Sequence, residues 1–417
     1  MEKRRVVITG MGAVTPLGLN LAQSWAAVQQ GVCGIGPITR YDPAGQKVQL
    51  AGEVRGFDPT AIIDKQEARK MDRYTQFAVA AADEAVAQSG LDFAQEDTWR
   101  CCVVFASGIG GFSTTQAECL KGAQKGYDRV SPHFIPMSIS NMAAGHIAIR
   151  FGLHGMCTCP VSACASGTNA VGDAFRQIRD GYADLAIAGG SEATITDLSM
   201  GGFTSLRALH MGTDPKRASI PFDAERSGFV MGEGSAALVL EEYQHAKARG
   251  ANILAEIVGY GCSCDAHHIT APLPDGSGAA AAMRLAVQDA GIQPEQVDYI
   301  NAHGTSTPMN DAAETAAVKL AFGEHAYRLA ISSTKSMTGH LLGASGAVEA
   351  AFTAMALHDG FVPATVGYQT PDPACDLDVV PNVGREAPLR YAMSNSLGFG
   401  GHNASILLKK WEDETCS

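Results

Sequence analysis

Three segments of this sequence carry side chains suited to nucleophilic catalysis: one thiol and two imidazoles. The first is Val161-Ser162-Ala163-Cys164-Ala165-Ser166-Gly167-Thr168-Asn169. A strand-like entry meets small residues and then a helical pattern, which sets Cys164 at a tight turn before a helix. Unpaired amide hydrogens and the positive end of the helix dipole favour a thiolate there. Small neighbours leave a substrate room to reach the sulfur, as at a nucleophile elbow. The alternative is a buried structural cysteine at a strand–helix junction, a common place for free Cys. The second segment, Ala302-His303-Gly304-Thr305-Ser306-Thr307-Pro308, follows a strand pattern and leads through Asn310-Asp311 into a helix. The third, Lys335-Ser336-Met337-Thr338-Gly339-His340, follows another strand and leads into a further helix. Each histidine stands where the C-terminal end of a strand meets a helix start, the usual ligand position in α/β folds. Either alone reads equally well as a hydrogen-bonded core histidine. A cysteine and two histidines at matching junctions point to one shared site.

The elements that must position these groups follow from hydrophobic periodicity. Short β-branched runs recur at 6–9, 102–107, 185–189, 297–302, 329–333 and 404–408. Helical patterns lie between them, among others at 77–89, 279–290 and 312–321. This alternation predicts α/β layers with a largely buried sheet. No Pro- or Ser-rich linker divides the chain, so any two halves share a core. Ala165-Ser166-Gly167 opens a helical pattern that closes at Asp180-Gly181, and Ala344-Ser345-Gly346 opens another that closes at Asp359-Gly360 with the same spacing. Within them Val171, Ala174, Phe175 and Ile178 parallel Val348, Ala351, Phe352 and Met355, two residues out of register with the outer match. An internal duplication is the expectation.

Composition narrows the class. In 417 residues, 46% are apolar and 18% charged, which excludes a disordered chain or a small disulfide-stapled scaffold. The length suits two domains or one duplicated domain. A net charge of −12 argues against nucleic acid or an anionic membrane as partner, although a local basic patch can still bind an acidic protein. Eleven cysteines cannot all pair and show no regular framework, so a reducing compartment is expected. The run Val6-Val7-Ile8 is too short for a signal peptide and no stretch approaches a membrane span, so we expect a cytoplasmic protein.

With these segments in view, the sequence resembles the β-ketoacyl–acyl carrier protein synthases of the I/II class, closest to synthase II. The resemblance runs from Val6-Val7-Ile8-Thr9-Gly10-Met11-Gly12 to Asn395-Ser396-Leu397-Gly398-Phe399-Gly400-Gly401-His402-Asn403, and includes the loop Ser107-Gly108-Ile109-Gly110-Gly111. Thiolases pair the reactive cysteine with a histidine and a second cysteine, and synthase III enzymes use Cys, His and Asn. The Cys, His, His set here matches the elongating, decarboxylating class. The resemblance implies the thiolase-like fold: two pseudo-repeated βαβαβαββ halves, 1–253 and 254–417, in an α-β-α-β-α arrangement. It implies that Cys164 carries the acyl chain as a thioester, with the amides of Cys164 and Phe399 as oxyanion hole. His303 and His340 would stabilise the enolate formed from malonyl-carrier, while Lys335 and Glu349 orient and tune the site. On spacing alone, Glu349 reads as well as an exposed helix charge. Thr305, Thr307 and Gly400 are implied substrate contacts. Ile109 and Phe203 would lie along the acyl pocket, or serve as ordinary core. Phe399, flanked by glycines, would gate access to Cys164, or belong to a plain hairpin turn.

The resemblance also places Lys65, Arg69, Lys70 and Arg207 where an acidic acyl carrier protein docks; a solvated helix face is the alternative. It implies a homodimer and no cofactor. Three other readings stand beside it: a polyketide ketosynthase of the same fold, a non-catalytic chain-length partner, which the presence of Cys164 disfavours, and a nicotinamide-dependent oxidoreductase. Gly10-Met11-Gly12 faintly resembles a dinucleotide fingerprint, but the third glycine is missing. Cys262-Ser263-Cys264-Asp265-Ala266-His267-His268 looks metal-like by composition, yet Asp265 and His268 belong to the family pattern, and Cys157 and Cys159 have poor zinc spacing. No metal is expected to be required; a structural monovalent cation near Asn301 and Ser394 is compatible with the sequence.

Overall fold

The computed structural model describes residues 3–412. Its principal strands are β1 Val6–Val14, β2 Cys101–Ala106, β3 Cys157–Thr158, β4 Leu185–Glu192, β5 Gly234–Glu242, β6 Ala255–Cys264, β7 Tyr299–Asn301, β8 Ala330–Ser332, β9 Tyr391–Gly398 and β10 His402–Lys410. They form one ladder in the order β8-β7-β9-β10-β6-β1-β5-β4-β2-β3. Divided at the β6–β1 pair, the ladder gives two sets of five with one shared order. From each outer edge inward come the third, second, fourth, fifth and first strands of the set. The seam is short: Val6 and Ile8 pair antiparallel with Ile257 and Ala255.

The principal helices are α1 Arg73–Ser89, α2 Met142–Phe151, α3 Ser166–Arg179, α4 Ser277–Ala290, α5 Pro308–Phe322 and α6 Ser345–Asp359. Helix α1 covers β1, β4 and β5 on one outer face, with α2 against it, and α4 covers β6 and β10 on the other, with α5 against it. Between the two sets of strands, α3 and α6 pack on each other and on strands of both. The result is the helix–sheet–helix–sheet–helix stack of a thiolase-like fold. Helix α6 is buried almost throughout, which is why its sequence is alanine-rich and lacks a polar stripe.

Glycines in the strands allow the outer helices to approach. A Cβ at Gly10 would stand 2.0 Å from the Ala85 carbonyl oxygen and one at Gly12 2.2 Å from that of Ala81. In the other half, a Cβ at Gly259 would stand 2.1 Å from the Ala286 oxygen and one at Gly261 2.0 Å from that of Ala282. The Gly10-Met11-Gly12 run is therefore a helix-packing feature inside β1, not a phosphate loop.

The helix pair at the centre repeats in detail. A 3₁₀ turn at Ala163–Ala165 precedes α3, and one at Leu342–Ala344 precedes α6. Ala163 and Leu342 both take left-handed φ, 52° and 47°. The structure keeps the outer sequence match; the inner apolar match, two residues out of register, does not pair equivalent positions. Among the described residues all ten cysteines are free, and no helix is long and apolar enough to cross a membrane.

Candidate active site

The three segments converge on a cavity of about 440 Å³, lined in part by Cys164, His303, His340, Thr305, Thr307 and Phe399. Cys164 is carried on the sharp turn at Ala163. Ser166 closes that turn: its Oγ accepts the Ser162 N–H at 2.8 Å and donates to the Ala163 carbonyl at 2.6 Å. His303 follows β7, and its backbone is held by Glu314 of α5, whose carboxylate oxygens accept the N–H groups of His303 and Gly304, each at 2.8 Å. His340 follows β8 and the helical turn Lys335–Thr338, and its N–H donates to Val230 at 2.7 Å.

The sequence reading expected Cys164 to be a thiolate, and the structure corrects it. Burial pushes the thiol up to about 12, although the Lys335 charge and the Phe399 and Cys164 amides pull it down. Loss of water around the sulfur outweighs the helix-terminus field. Those two amides point at the sulfur, where an oxyanion hole is required. Both histidines are held well below their ordinary value, first by burial and then by the Lys335 charge, so both rings are neutral at neutral pH. Ser345 Oγ accepts the Leu341 N–H and lies 2.9 Å from His340 Nδ1. With its own hydrogen free for Nδ1, it assigns the His340 proton to Nε2, which is buried with no partner among the described residues. The two rings meet edge to face, 5.2 Å apart.

Lys335 and Glu349 lie behind the histidines as a buried ion pair, 1% and 3% exposed. Burial pushes the Glu349 carboxyl up against the pull of Lys335. Glu349 is thus not an exposed helix charge. An aromatic series runs from His340 to Phe229, to Phe203 and on to Phe399, with ring centroids 5.2, 5.6 and 6.4 Å apart. Phe399 sits at the tip of the β9–β10 hairpin, so the glycine-flanked segment is a hairpin turn and borders the cavity as well.

Other anticipated residues fall in different places. Phe203 and Arg207 line the cavity, whereas Ile109 packs behind it with Cys164 and Phe203 against an apolar cluster that includes Leu342. Gly400 does not line the cavity. Its N–H donates to Ile269 at 2.8 Å, which ties it to the neighbouring loop. Lys65, Arg69 and Lys70 line no part of the cavity either, and Lys70 is paired with Glu67 at 2.7 Å. Asp265 is committed to the Leu273 N–H and to Asn403, and His268 Nδ1 accepts from Thr270 and Ala271. Asn301 and Ser394, neighbours across β7 and β9, each bury one side-chain oxygen without a partner among the described residues. The sequence reading missed Glu192, Glu314 and Ser345. An acid closing an otherwise apolar strand, as in Gly189-Gly190-Ser191-Glu192, was the available signal for the first.

Comparison with known proteins agrees with this geometry. Residues 3–246 match the family model "Beta-ketoacyl synthase, N-terminal domain" and residues 254–369 match "Beta-ketoacyl synthase, C-terminal domain". The chain is 51% identical over 413 residues to a 3-oxoacyl-(acyl-carrier-protein) synthase 2 of Synechocystis sp., covering 99% of each chain. It is 51% identical over 411 residues to the enzyme of that name from Staphylococcus aureus, again covering 99% of each. Among solved structures, it is similar to a type II polyketide ketosynthase in complex with its acyl-carrier protein, with TM-score 0.91, 35% identity and coverage of 99% and 100%. A β-ketoacyl synthase from Burkholderia phymatum gives TM-score 0.89 at 36% identity, with coverage of 98% and 100%.

Proposed function

The chain belongs to the β-ketoacyl synthase family, and on that premise we propose that it is an acyltransferase of fatty-acid elongation, condensing an enzyme-bound acyl group with malonyl-acyl carrier protein. The observation that carries this reading is the meeting of one sulfur, two amides aimed at it and two neutral imidazoles in one cavity.

Cys164 Sγ attacks the thioester carbonyl of an acyl-carrier. The bond to the carrier sulfur breaks, and the thiol proton ends on the departing carrier. The amides of Cys164 and Phe399 hold the tetrahedral oxyanion. Malonyl-carrier then enters, its bond to CO2 breaks, and the electron pair moves into an enolate whose oxygen accepts from the imidazoles of His303 and His340. The carbanion attacks the Cys164 thioester carbonyl, the bond to Sγ breaks, a 3-ketoacyl-carrier two carbons longer leaves, and the sulfur takes a proton from water to return to the thiol. Neutral rings suit this role, because each keeps one N–H to donate to the new oxyanion. Burial and then the Lys335 charge keep both rings neutral, and Glu349 holds Lys335 in place. Thr305 and Thr307, 3.0 Å apart, offer hydroxyls to the carrier's thioester arm. Phe203 lines the acyl pocket and Ile109 backs it, while Phe399 gates it.

Arg207, exposed at the cavity mouth, together with Lys65, Arg69 and Lys70, receives the acidic carrier. A second copy of the chain pairs at the open edge of β3, a reading supported by Val161 and Ile149, 57% and 76% exposed near that edge. Sedimentation showing monomer alone would remove the dimer. Unpaired cysteines support a cytoplasmic location. The shared strand order supports two fused halves at 1–253 and 254–417. A hard monovalent cation fits the unpartnered oxygens of Asn301 and Ser394 and would brace β7 against β9; the reaction needs no cofactor.

The test is incubation with malonyl-carrier and a series of acyl-carriers, with products resolved by mass. We expect CO2 and 3-ketoacyl-carriers two carbons longer, with label from acyl-carrier on Cys164 in the native protein and none in Cys164→Ala. Label on another cysteine would overturn the assignment.

A further inference from the structure

Glu192 is the last residue of β4, and no solvent reaches it. Its carboxylate accepts four hydrogen bonds, none from a charged group. Oε1 takes the Ser107 hydroxyl at 3.0 Å and the Ile109 N–H at 3.3 Å; Oε2 takes the Gly108 N–H at 2.8 Å and the Gly343 N–H at 3.0 Å. Ser107 Oγ in turn accepts the Gly110 N–H at 3.0 Å. One side chain therefore holds two loops that come from opposite halves of the fold. One is the 107–111 loop, which presents Ile109. The other is the turn after His340, where Leu342 lines the cavity in a left-handed conformation.

The junction leaves no slack. A Cβ at Gly108 would stand 2.8 Å from Glu192 Oε2, and a Cβ at Gly343 2.2 Å from the Gly108 nitrogen. Ile109 and Leu342 belong to the same apolar cluster, which also contacts Cys164 and Phe203. We propose that Glu192 is a positioning residue that sets the acyl-chain limit, fastening the loop of Ile109, which backs the acyl pocket, and the turn of Leu342, which lines it, to one fixed point. A packing role alone would call for an apolar side chain here, since a buried carboxylate is costly unless its acceptors are filled. Four aligned donors fill it, and the loops they come from are those that bound the pocket.

This inference rests on the reading of the cavity as an acyl site. The decisive variant is Glu192→Gln, which keeps the volume but in either amide orientation sets an NH2 group against at least one N–H donor. The assay measures kcat/KM across an acyl-carrier length series. With the anchor lost, the pocket wall yields, and discrimination between the longest accepted chain and one two carbons longer falls by about tenfold, the size of one lost hydrogen bond to a charged group. The change lies in KM for the longer chain. Ser107→Ala, which removes one donor, shifts the same ratio in the same direction by a smaller factor and carries the test if Glu192→Gln does not fold. A length ratio unchanged in both variants, or activity lowered by one factor at every length, overturns the proposal. If the native protein elongates no acyl-carrier at all, the reading of the site is what fails.

Discussion

Glu314 holds the main chain of His303 and leaves its ring alone: the carboxylate accepts the N–H groups of His303 and Gly304, while His303 Nδ1 has no partner among the described residues. Burial raises this carboxyl to about 7, against those two hydrogen bonds. A raised acid binds its proton more tightly folded than unfolded, so its contribution to stability is full below about 4.5 and declines as pH rises toward 7. Glu314→Gln removes that dependence. The stability of the native protein relative to the variant should fall by on the order of 3 kcal/mol between pH 4.5 and 7.5 and stay level above. Denaturant unfolding across that range checks it; a flat difference would contradict it.

Loss of either imidazole should strike the second half-reaction. His303→Ala or His340→Ala is expected to slow CO2 release from malonyl-carrier about 10²–10³-fold, as for one oxyanion donor, and to affect acylation of Cys164 less. Radiometric CO2 release beside a gel assay of acyl-enzyme separates the two steps. Normal decarboxylation in both variants would end the assignment.

The Lys335–Glu349 pair gives a different expectation. Lys335→Ala leaves Glu349 buried without its cation, which costs about 3–5 kcal/mol in stability when a buried pair is broken. Removal of the positive charge also makes both imidazoles easier to protonate, while burial, the larger cause, still holds them below the ordinary histidine range. The low-pH limb of the decarboxylation profile should then move upward from its native position. An unaltered profile would mean that Lys335 does not set the protonation of the rings.

Carrier recognition is separable from chemistry. Lys65→Glu and Arg69→Glu should weaken use of acyl-carrier, and rising salt should reproduce much of the loss, since exposed charges are screened over about 8 Å at physiological ionic strength. A short acyl thioester without a carrier should react as before. Equal losses with both substrates would make the patch structural.

Two side chains beside the sulfur should respond differently to substitution. Ile109→Phe is expected to shorten the longest accepted chain and spare short ones, because it thickens a fixed wall. Phe399→Ala should impair acyl transfer and loosen the order of substrate entry, with little loss of thermal stability because the ring is only half-buried. A Phe399→Ala protein that melts much earlier would mark the ring as core.

Much of the site was legible because its chemistry is local. Cys164, His303 and His340 each sit in a run whose strand, turn and helix signals are strong, and those signals place them at junctions. The strands that bring the junctions together were less visible. β6 has only Ile257 and Val258 before Gly259 and Gly261 interrupt the pattern and it ends in Cys262-Ser263-Cys264, and β9 reads Ala392-Met393-Ser394-Asn395-Ser396 with none of the β-branched residues that mark a strand. Their conformation is dictated by neighbours on both edges. The ionisation of Cys164 was misjudged for a related reason: a helix start is written in the local sequence, but burial is a property of everything around it.

The short seam between β1 and β6 bears on how the chain is made. Val6–Ile8 can find its partner in β6 only after residue 257 has been synthesised, and α3, although packed on β2 and β4, lacks its partner helix until α6 arrives. During translation the leading half therefore waits with an open strand edge and an apolar face toward water, the kind of surface on which nascent chains aggregate. A fragment ending near residue 253 is expected to bind holdase chaperones and to show no cooperative melt of its own, whereas the complete chain unfolds as one unit.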